Sequence, residues 1–286
     1  MIADTISTEM GEFNVRVLQD TRSLGAEVSV IIVNSLTSRM TINAIKSFNR
    51  FSDVPTNYIV VDNFSSDEIL ADLCRELPFA TIVSNHGTPK TILHGYWDSQ
   101  LNAVGVDLGT RFVTTPLAFV CHNDVIACGK GWLRHLISKL TPECRGASFF
   151  HDTGRIGAMH VCGYLYDTAI YGTNEAKWYP TADRSMDVGD HYTKHLRDAG
   201  LSYHVCDNTH NNTDLHLPTT APTAAYEASS GVPVTSIVAV DDDGRSLYIH
   251  LGRGSLKSVN AYSKSGKTTH EQWVAFGDWV NSTWQD

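Results

Sequence analysis

The sequence lacks most of the features that announce a function class at once. No apolar run approaches the roughly 20 residues that span a bilayer, and the first ten residues, M-I-A-D-T-I-S-T-E-M, are polar and acidic, unlike a secretory leader. No long basic run is present, and 22 Lys+Arg against 31 Asp+Glu leave a net charge of -9. That balance excludes general polyanion binding, because phosphate backbones are held mainly by clustered Lys and Arg. A small phosphorylated ligand stays open, since a metal ion can supply positive charge that the protein lacks. The six cysteines (Cys74, Cys121, Cys128, Cys144, Cys162 and Cys206) include no Cys-x-x-Cys pair. Two lie inside apolar strand-like runs, so reduced core residues in a cytoplasmic-type setting are expected rather than a disulfide framework. Neither a G-x-S-x-G elbow nor a G-x-x-x-x-G-K-S/T loop occurs, which sets aside serine-hydrolase and P-loop chemistry.

What is present is an alternation of strands and helices in the first half of a 286-residue chain. Glu27–Val33, Tyr58–Val61, Ala80–Val83 and Leu117–Cys121 are short, near-continuous apolar runs. Between them come helical patterns at Thr41–Phe51, after Ser66-Asp67, and across Pro89–Gly105. Strands of that kind, separated by helices, predict a parallel sheet covered on both faces. Ligands in such sheets bind beyond the carboxyl ends of the strands, where strand order reverses. Three polar clusters sit just past strands: Asn34-Ser35, Asp62-Asn63 and His122-Asn123-Asp124. Further on, helices are expected at Gly131–Leu140, Asp187–Ala199 and Gln272–Trp284, and strands at Ala147–His151, Ala158–Leu165 and Leu201–Cys206. Ser236–Val240 and Ser246–Leu251 read as a hairpin around D-D-D-G-R, and Leu217–Val234, rich in Pro, Thr, Ala and Ser, as a loop.

The ordered series resembles the family-2-type glycosyltransferases with a GT-A fold. It is carried by V-S-V-I-I-V, V-V-D-N-F-S-S-D, S-N-H-G, S-Q-L-N-A-V-G, and F-V-C-H-N-D-V followed by G-K-G-W-L. The likeness covers residues 27–140 well and 185–206 weakly. One departure is that His122 stands where the family's D-x-D motif has its first Asp; the H-N-D-V here resembles an H-Q-D-V variant found in a subset of that family. The resemblance implies a nucleotide-binding mixed sheet flanked by helices. It also implies three segments: an N-terminal extension over residues 1–25, a nucleotide-sugar-binding core over 26–140, and an acceptor-side half over 141–286 within the same domain. The implied activity is transfer of a sugar from a nucleotide diphosphate sugar to a hydroxyl acceptor, by direct displacement with inversion, assisted by Mn²⁺ or Mg²⁺. A retaining transferase, or a non-catalytic carbohydrate- or partner-binding protein on the same fold, is the alternative.

Under that resemblance the nucleotide side is expected to draw on Asn34, Asp62, Asn63, Asn85, Asn102, Asn123 and Arg253. Asp62 is the strand-end acid suited to accept hydrogen bonds from a base or ribose. Asp124 is the first candidate metal ligand, since hard divalent cations prefer carboxylate and phosphate oxygens and Mn²⁺ also tolerates imidazole. His122 either joins it or hydrogen-bonds the diphosphate. His250 is the candidate for an additional late ligand, with His210 and His216 competing for that place. Asp187 and Asp190, at the start of a helix, are the candidate bases, and the sequence does not separate them. Two rival clusters carry blander readings: Asp241-Asp242-Asp243 as a solvated turn, and His191 with His195 as two helix residues lacking the Glu of a zinc-protease motif.

Overall fold

The computed structural model describes residues 2–93, 97–154, 156–170, 177–252 and 268–286. Among these the strands are β1 (Ile2–Thr8), β2 (Gly11–Gln19), β3 (Val28–Asn34), β4 (Thr56–Asn63), β5 (Ala80–Asn85), β6 (Leu117–Cys121), β7 (Val125–Ala127), β8 (Cys144–Ser148), β9 (Tyr164–Asp167), β10 (Ser202–Val205), β11 (Ile237–Val240) and β12 (Ser246–His250). The helices are α1 (Ser38–Phe51), α2 (Asp67–Glu76), α3 (Trp97–Thr110), α4 (Trp132–Ser138), α5 (Asp190–Asp198), α6 (Pro222–Ser230) and α7 (His270–Ser282). No described helix is long and apolar enough to cross a membrane.

The main sheet runs β1-β2-β5-β4-β3-β6-β9-β8-β10, and β5, β4, β3 and β6 are mutually parallel. The fold is therefore a mixed α/β sheet flanked by helices, as the resemblance implies, with the parallel strands that the apolar runs predict at its centre. Every residue of β3 is buried, and successive side chains pass to opposite faces. Val28, Val30 and Ile32 join Val60, Ile82 and Phe119 in one core with α1, α2, α4 and α7. Ile31 and Val33 join Ile59, Val61, Val83 and Val120 in a second core with α3 and α5. From β3 the chain moves outward to β4 and β5, then returns to lay β6 on the other flank of β3. Strand order thus reverses between β3 and β6, which creates a crevice at their carboxyl ends.

α3 approaches this sheet closely because it carries glycine at two positions four residues apart. A Cβ at Gly105 would lie 2.6 Å from Val33 Cγ1, and one at Gly109 would lie 2.5 Å from Ile31 Cγ2. Both neighbours are β-branched, buried and stiff at χ1. Gly109→Ala is therefore expected to destabilise the fold by about 1–3 kcal/mol, although alanine favours helix by about 1 kcal/mol. Denaturant unfolding of the variant measures the sign directly.

Several elements differ from the sequence expectation. Residues 1–25, expected as an extension, contain the β1–β2 hairpin, which pairs antiparallel with β5 and places Phe13 and Val15 in the core. Leu217–Val234 is not simply a loop, because it contains α6. That helix starts with proline in its first turn, ends at Gly231 (φ +71°), and packs Tyr226 5.4 Å from the rings of both Phe276 and Trp279. β8 begins at Cys144, and the strand expected over Ala158–Leu165 is confined to β9. β7 was not anticipated; with β12 and β11 it forms a second antiparallel sheet, and Ala127 N donates to Ser47 Oγ of α1. The Asp241-Asp242-Asp243 turn joins β11 to β12 as expected, with Asp241 Oδ1 accepting from the amides of Asp243 and Arg245.

Candidate functional site

The polar residues at the strand ends meet because the parallel strands end in register: Asn34 pairs with Asp62, and Asn63 with Asn85. Asn34 Nδ2 donates to Asp62 Oδ1 at 2.5 Å, and Thr41 Oγ1 donates to Asn34 Oδ1 at 2.7 Å. Asp62 Oδ2 accepts from the amide of Ser65 at 3.0 Å. Asn85 Nδ2 donates to Asn63 Oδ1, whose own amide reaches the Leu101 carbonyl of α3. Asn123 Nδ2 donates to Thr37 Oγ1 at 2.7 Å and to Thr41 Oγ1 at 3.1 Å. All five of these Asn and Asp residues are buried, so much of their hydrogen-bonding capacity is spent on shaping the crevice. Asn102 is half-buried on α3, and Arg253 lies outside the described residues.

Sequence reasoning gave no sign of Leu36 and Phe64, which leave β3 and β4 at φ +58° and +67°. Left-handed backbone at a non-glycine residue costs on the order of 1–3 kcal/mol and clusters at functional sites. Leu36 holds an apolar side chain 59% exposed beside the switch point.

The candidate metal residues come from two distant segments. His122 and Asp124 lie between β6 and β7, and β12 pairs with β7 so that His250 stands opposite Val125. The Leu251 amide also donates to the Asp124 carbonyl. His122 Nδ1 is 3.7 Å, and His250 Nε2 3.5 Å, from Asp124 Oδ1, and the three ligand atoms lie within 4.8 Å of one another. Two donors bound to one ion at about 2.1 Å with angles of about 90–120° sit roughly 3.0–3.6 Å apart. The two distances to Asp124 lie at or just past the upper end of that range, and the nitrogen–oxygen–nitrogen donor set suits a divalent transition metal such as Mn²⁺.

Their electrostatics are coupled. Asp124 is fully buried, yet its pKa is held below the ordinary range, because the charge of His250 and His122 outweighs the cost of desolvation. Burial pushes the His122 pKa down to about 4, against the attraction of Asp124 and with help from His250. For His250, burial works against the imidazolium, but the Cys162 sulfur and the Asp124 carboxylate beside it hold its pKa well above the usual value. A third ring, His160, faces this group from a turn: its centroid is 5.7 Å from His122 and 6.0 Å from His250, and its Nδ1 accepts from the Cys162 amide. A turn histidine carries no periodic signal, and sequence reasoning missed it.

The structure separates the two acids that sequence left together. Asp190, the first residue of α5, is buried and accepts from the Asp187 amide at 2.8 Å, so it closes the turn that begins the helix. Asp187 is half-buried, accepts from the Val188 amide, and its charge acts on His122. The turn between them needs Gly189, at φ +77°, where a Cβ would fall 2.8 Å from Tyr164 Oη. His191 contacts the Tyr179 carbonyl at 3.2 Å. Among the described residues, His191, His195, His210 and His216 join no group of potential metal ligands.

No protein-family model matches the chain, and no curated protein is significantly similar to it in sequence. Solved structures that resemble it include a mannosyltransferase, PcManGT, from Pyrobaculum calidifontis in complex with GDP-Man and Mn²⁺ (13% identity, TM-score 0.47, 63% of this chain and 54% of that one). Another is glucosyl-3-phosphoglycerate synthase from Mycobacterium tuberculosis with Mn²⁺, UDP and phosphoglyceric acid (12% identity, TM-score 0.46, 63% and 68%). A third is the apo glycosyltransferase GlyE of Streptococcus pneumoniae TIGR4 (13% identity, TM-score 0.48, 90% and 63%). The chain thus spans about half the length of the mannosyltransferase. At such identities chemistry has to be argued from the site rather than from the fold.

Proposed function

We propose that the chain is a GT-A-type glycosyltransferase that moves a sugar from a nucleotide diphosphate sugar to a hydroxyl acceptor with inversion. The observation that carries this reading is the meeting of His122, Asp124 and His250, with Asp187 in electrostatic reach, beside the β3/β6 switch point. In the proposal the nucleotide lies over the carboxyl ends of β3 and β4. The Asn34–Asp62–Thr41 network fixes the floor there, and Leu36 offers an apolar surface to the base. Asp124, His122 and His250 would hold Mn²⁺ or Mg²⁺, which when bound supplies Lewis-acid stabilisation of the departing diphosphate. Asp187 takes the proton of the acceptor hydroxyl as that oxygen attacks the anomeric carbon from the face opposite the leaving group. Asp190 holds the turn that presents Asp187. Acceptor selection is assigned to residues 145–235, the part of the chain that carries the proposed base.

Calorimetric titration with UDP, GDP and other nucleoside diphosphates, with and without Mn²⁺, tests the proposal. One nucleotide is expected to bind at least tenfold more tightly with Mn²⁺ than without it. Absence of binding by every nucleotide would overturn the reading, and binding without turnover of any donor would favour a non-catalytic carbohydrate-binding role.

A further inference from the structure

A second group of ligand-bearing side chains lies away from the strand-end crevice. His135 is in the last turn of α4, His204 is on β10, and Cys206 follows directly after that strand. β10 is the last strand in the sheet order, paired with β8 alone, so this group sits at a sheet edge. His204 and Cys206 are two residues apart along an extended segment, which turns both side chains to one face. Leu133 and Leu136 of α4 pack in the same core as Ala147 and Cys206, and this brings His135 over that face. One ring nitrogen from each histidine and the Cys206 sulfur lie within 4.8 Å of one another. Among the described residues no hydrogen bond engages either ring or the sulfur. The two rings are half-exposed, whereas the sulfur is buried. An ion arriving from solvent would therefore meet the imidazoles first and the sulfur last.

We propose that His135, His204 and Cys206 form a Zn²⁺ site that ties α4 to the edge strand β10, with solvent in the fourth position. The donor set selects the metal: a thiolate with two imidazoles suits a borderline-soft, tetrahedral ion and disfavours Mg²⁺ and Ca²⁺. Binding releases the thiol proton as the Zn–S bond forms, so atoms and charge balance. Asp242 stands beside the group, where its carboxylate is paired with Lys139. Both members of that pair act on His135, His204 and Cys206, the lysine more strongly than the carboxylate, so the positive charge of the ion has to be met by the thiolate itself. This role is independent of the transferase reading, since it uses none of the crevice residues.

Co²⁺ substitution of the full chain tests the site, because a thiolate ligand gives an intense near-ultraviolet charge-transfer band and tetrahedral geometry gives strong visible bands. The band is expected in the wild type, in Asp124→Ala, which removes the crevice ligand, and in Cys162→Ser, which removes the sulfur beside His250. It is expected to vanish in Cys206→Ser. In His204→Gln, Co²⁺ affinity should fall by roughly 100-fold or more, beyond the 10–100-fold cost of losing an outer partner of a metal ligand. Zn²⁺ should raise the unfolding temperature of Asp124→Ala but not of Cys206→Ser. If Cys206→Ser fails to fold, His204→Gln, whose ring is half-exposed, decides the matter. The proposal is overturned if Asp124→Ala shows no thiolate band, or if His204→Gln binds Co²⁺ as tightly as the parent.

Discussion

Asp124→Asn is expected to lower glycosyl transfer by about 10³-fold or more while leaving the fold intact. The carboxylate is the shared neighbour of both imidazoles, at 3.5 and 3.7 Å, so its loss removes the anionic member of the donor set. Metal polarisation of a leaving group supplies several kcal/mol of transition-state stabilisation, and 4 kcal/mol corresponds to roughly 10³ in rate. The amide is nearly isosteric, which avoids a cavity in the buried site. It does remove a buried charge that His250 balances, and breaking such a pair outright costs about 3–5 kcal/mol. Here the cost is smaller, because His250 loses one of the two neighbours that hold its proton while burial continues to favour the neutral ring. Mn²⁺ electron paramagnetic resonance and donor turnover, measured on the same samples as thermal unfolding, separate lost metal from lost fold. Wild-type turnover in the variant would remove Asp124 from the proposed mechanism.

The sequence made the sheet legible because its central strands are buried on both faces. β3, β4, β5 and β6 each appear as an apolar run stopped by polar residues at or just past its end, and no solvent-facing side chain interrupts the pattern. Elements buried on one face or by few residues were harder to read. β7 has three residues, and its reason to be extended is its pairing with β12, more than a hundred positions away. α6 is built mostly from Ala, Ser and Thr, and its single aromatic residue, Tyr226, anchors it on Phe276 and Trp279 without a period to reveal it. At the site, sequence found side chains but not their relations. Asn34, Asp62 and Asn123 stand at the expected edge, yet they bond mainly to one another and to Thr37, Thr41 and Ser65. Their burial depends on register, which the sequence does not display. His122, Asp124 and His250 are brought together by the β7–β12 ladder, whereas His160 arrives on a turn that no motif marks.

The two acids before and within α5 give the sharpest test of the proposed mechanism, because their surroundings predict different failures. Asp187→Asn is expected to reduce kcat by about 10²–10⁴-fold, the usual range for a lost general base. Nucleotide affinity and unfolding temperature should stay unchanged, since the side chain is half-buried and its described hydrogen bond is to the adjacent Val188 amide. Asp190→Asn should act mainly on stability. Its carboxylate accepts from the Asp187 amide, and a hydrogen bond to a charged group contributes about 1.5–3 kcal/mol. Any loss of rate there would follow from a displaced Asp187, and so should be partial. Measuring kcat, KM and unfolding for both variants distinguishes the roles. If Asp187→Asn keeps full kcat and Asp190→Asn loses it with an unchanged fold, the assignment is reversed. If neither affects kcat, an acceptor base at α5 is excluded, and the anomeric configuration of the product then decides whether the transfer inverts or retains.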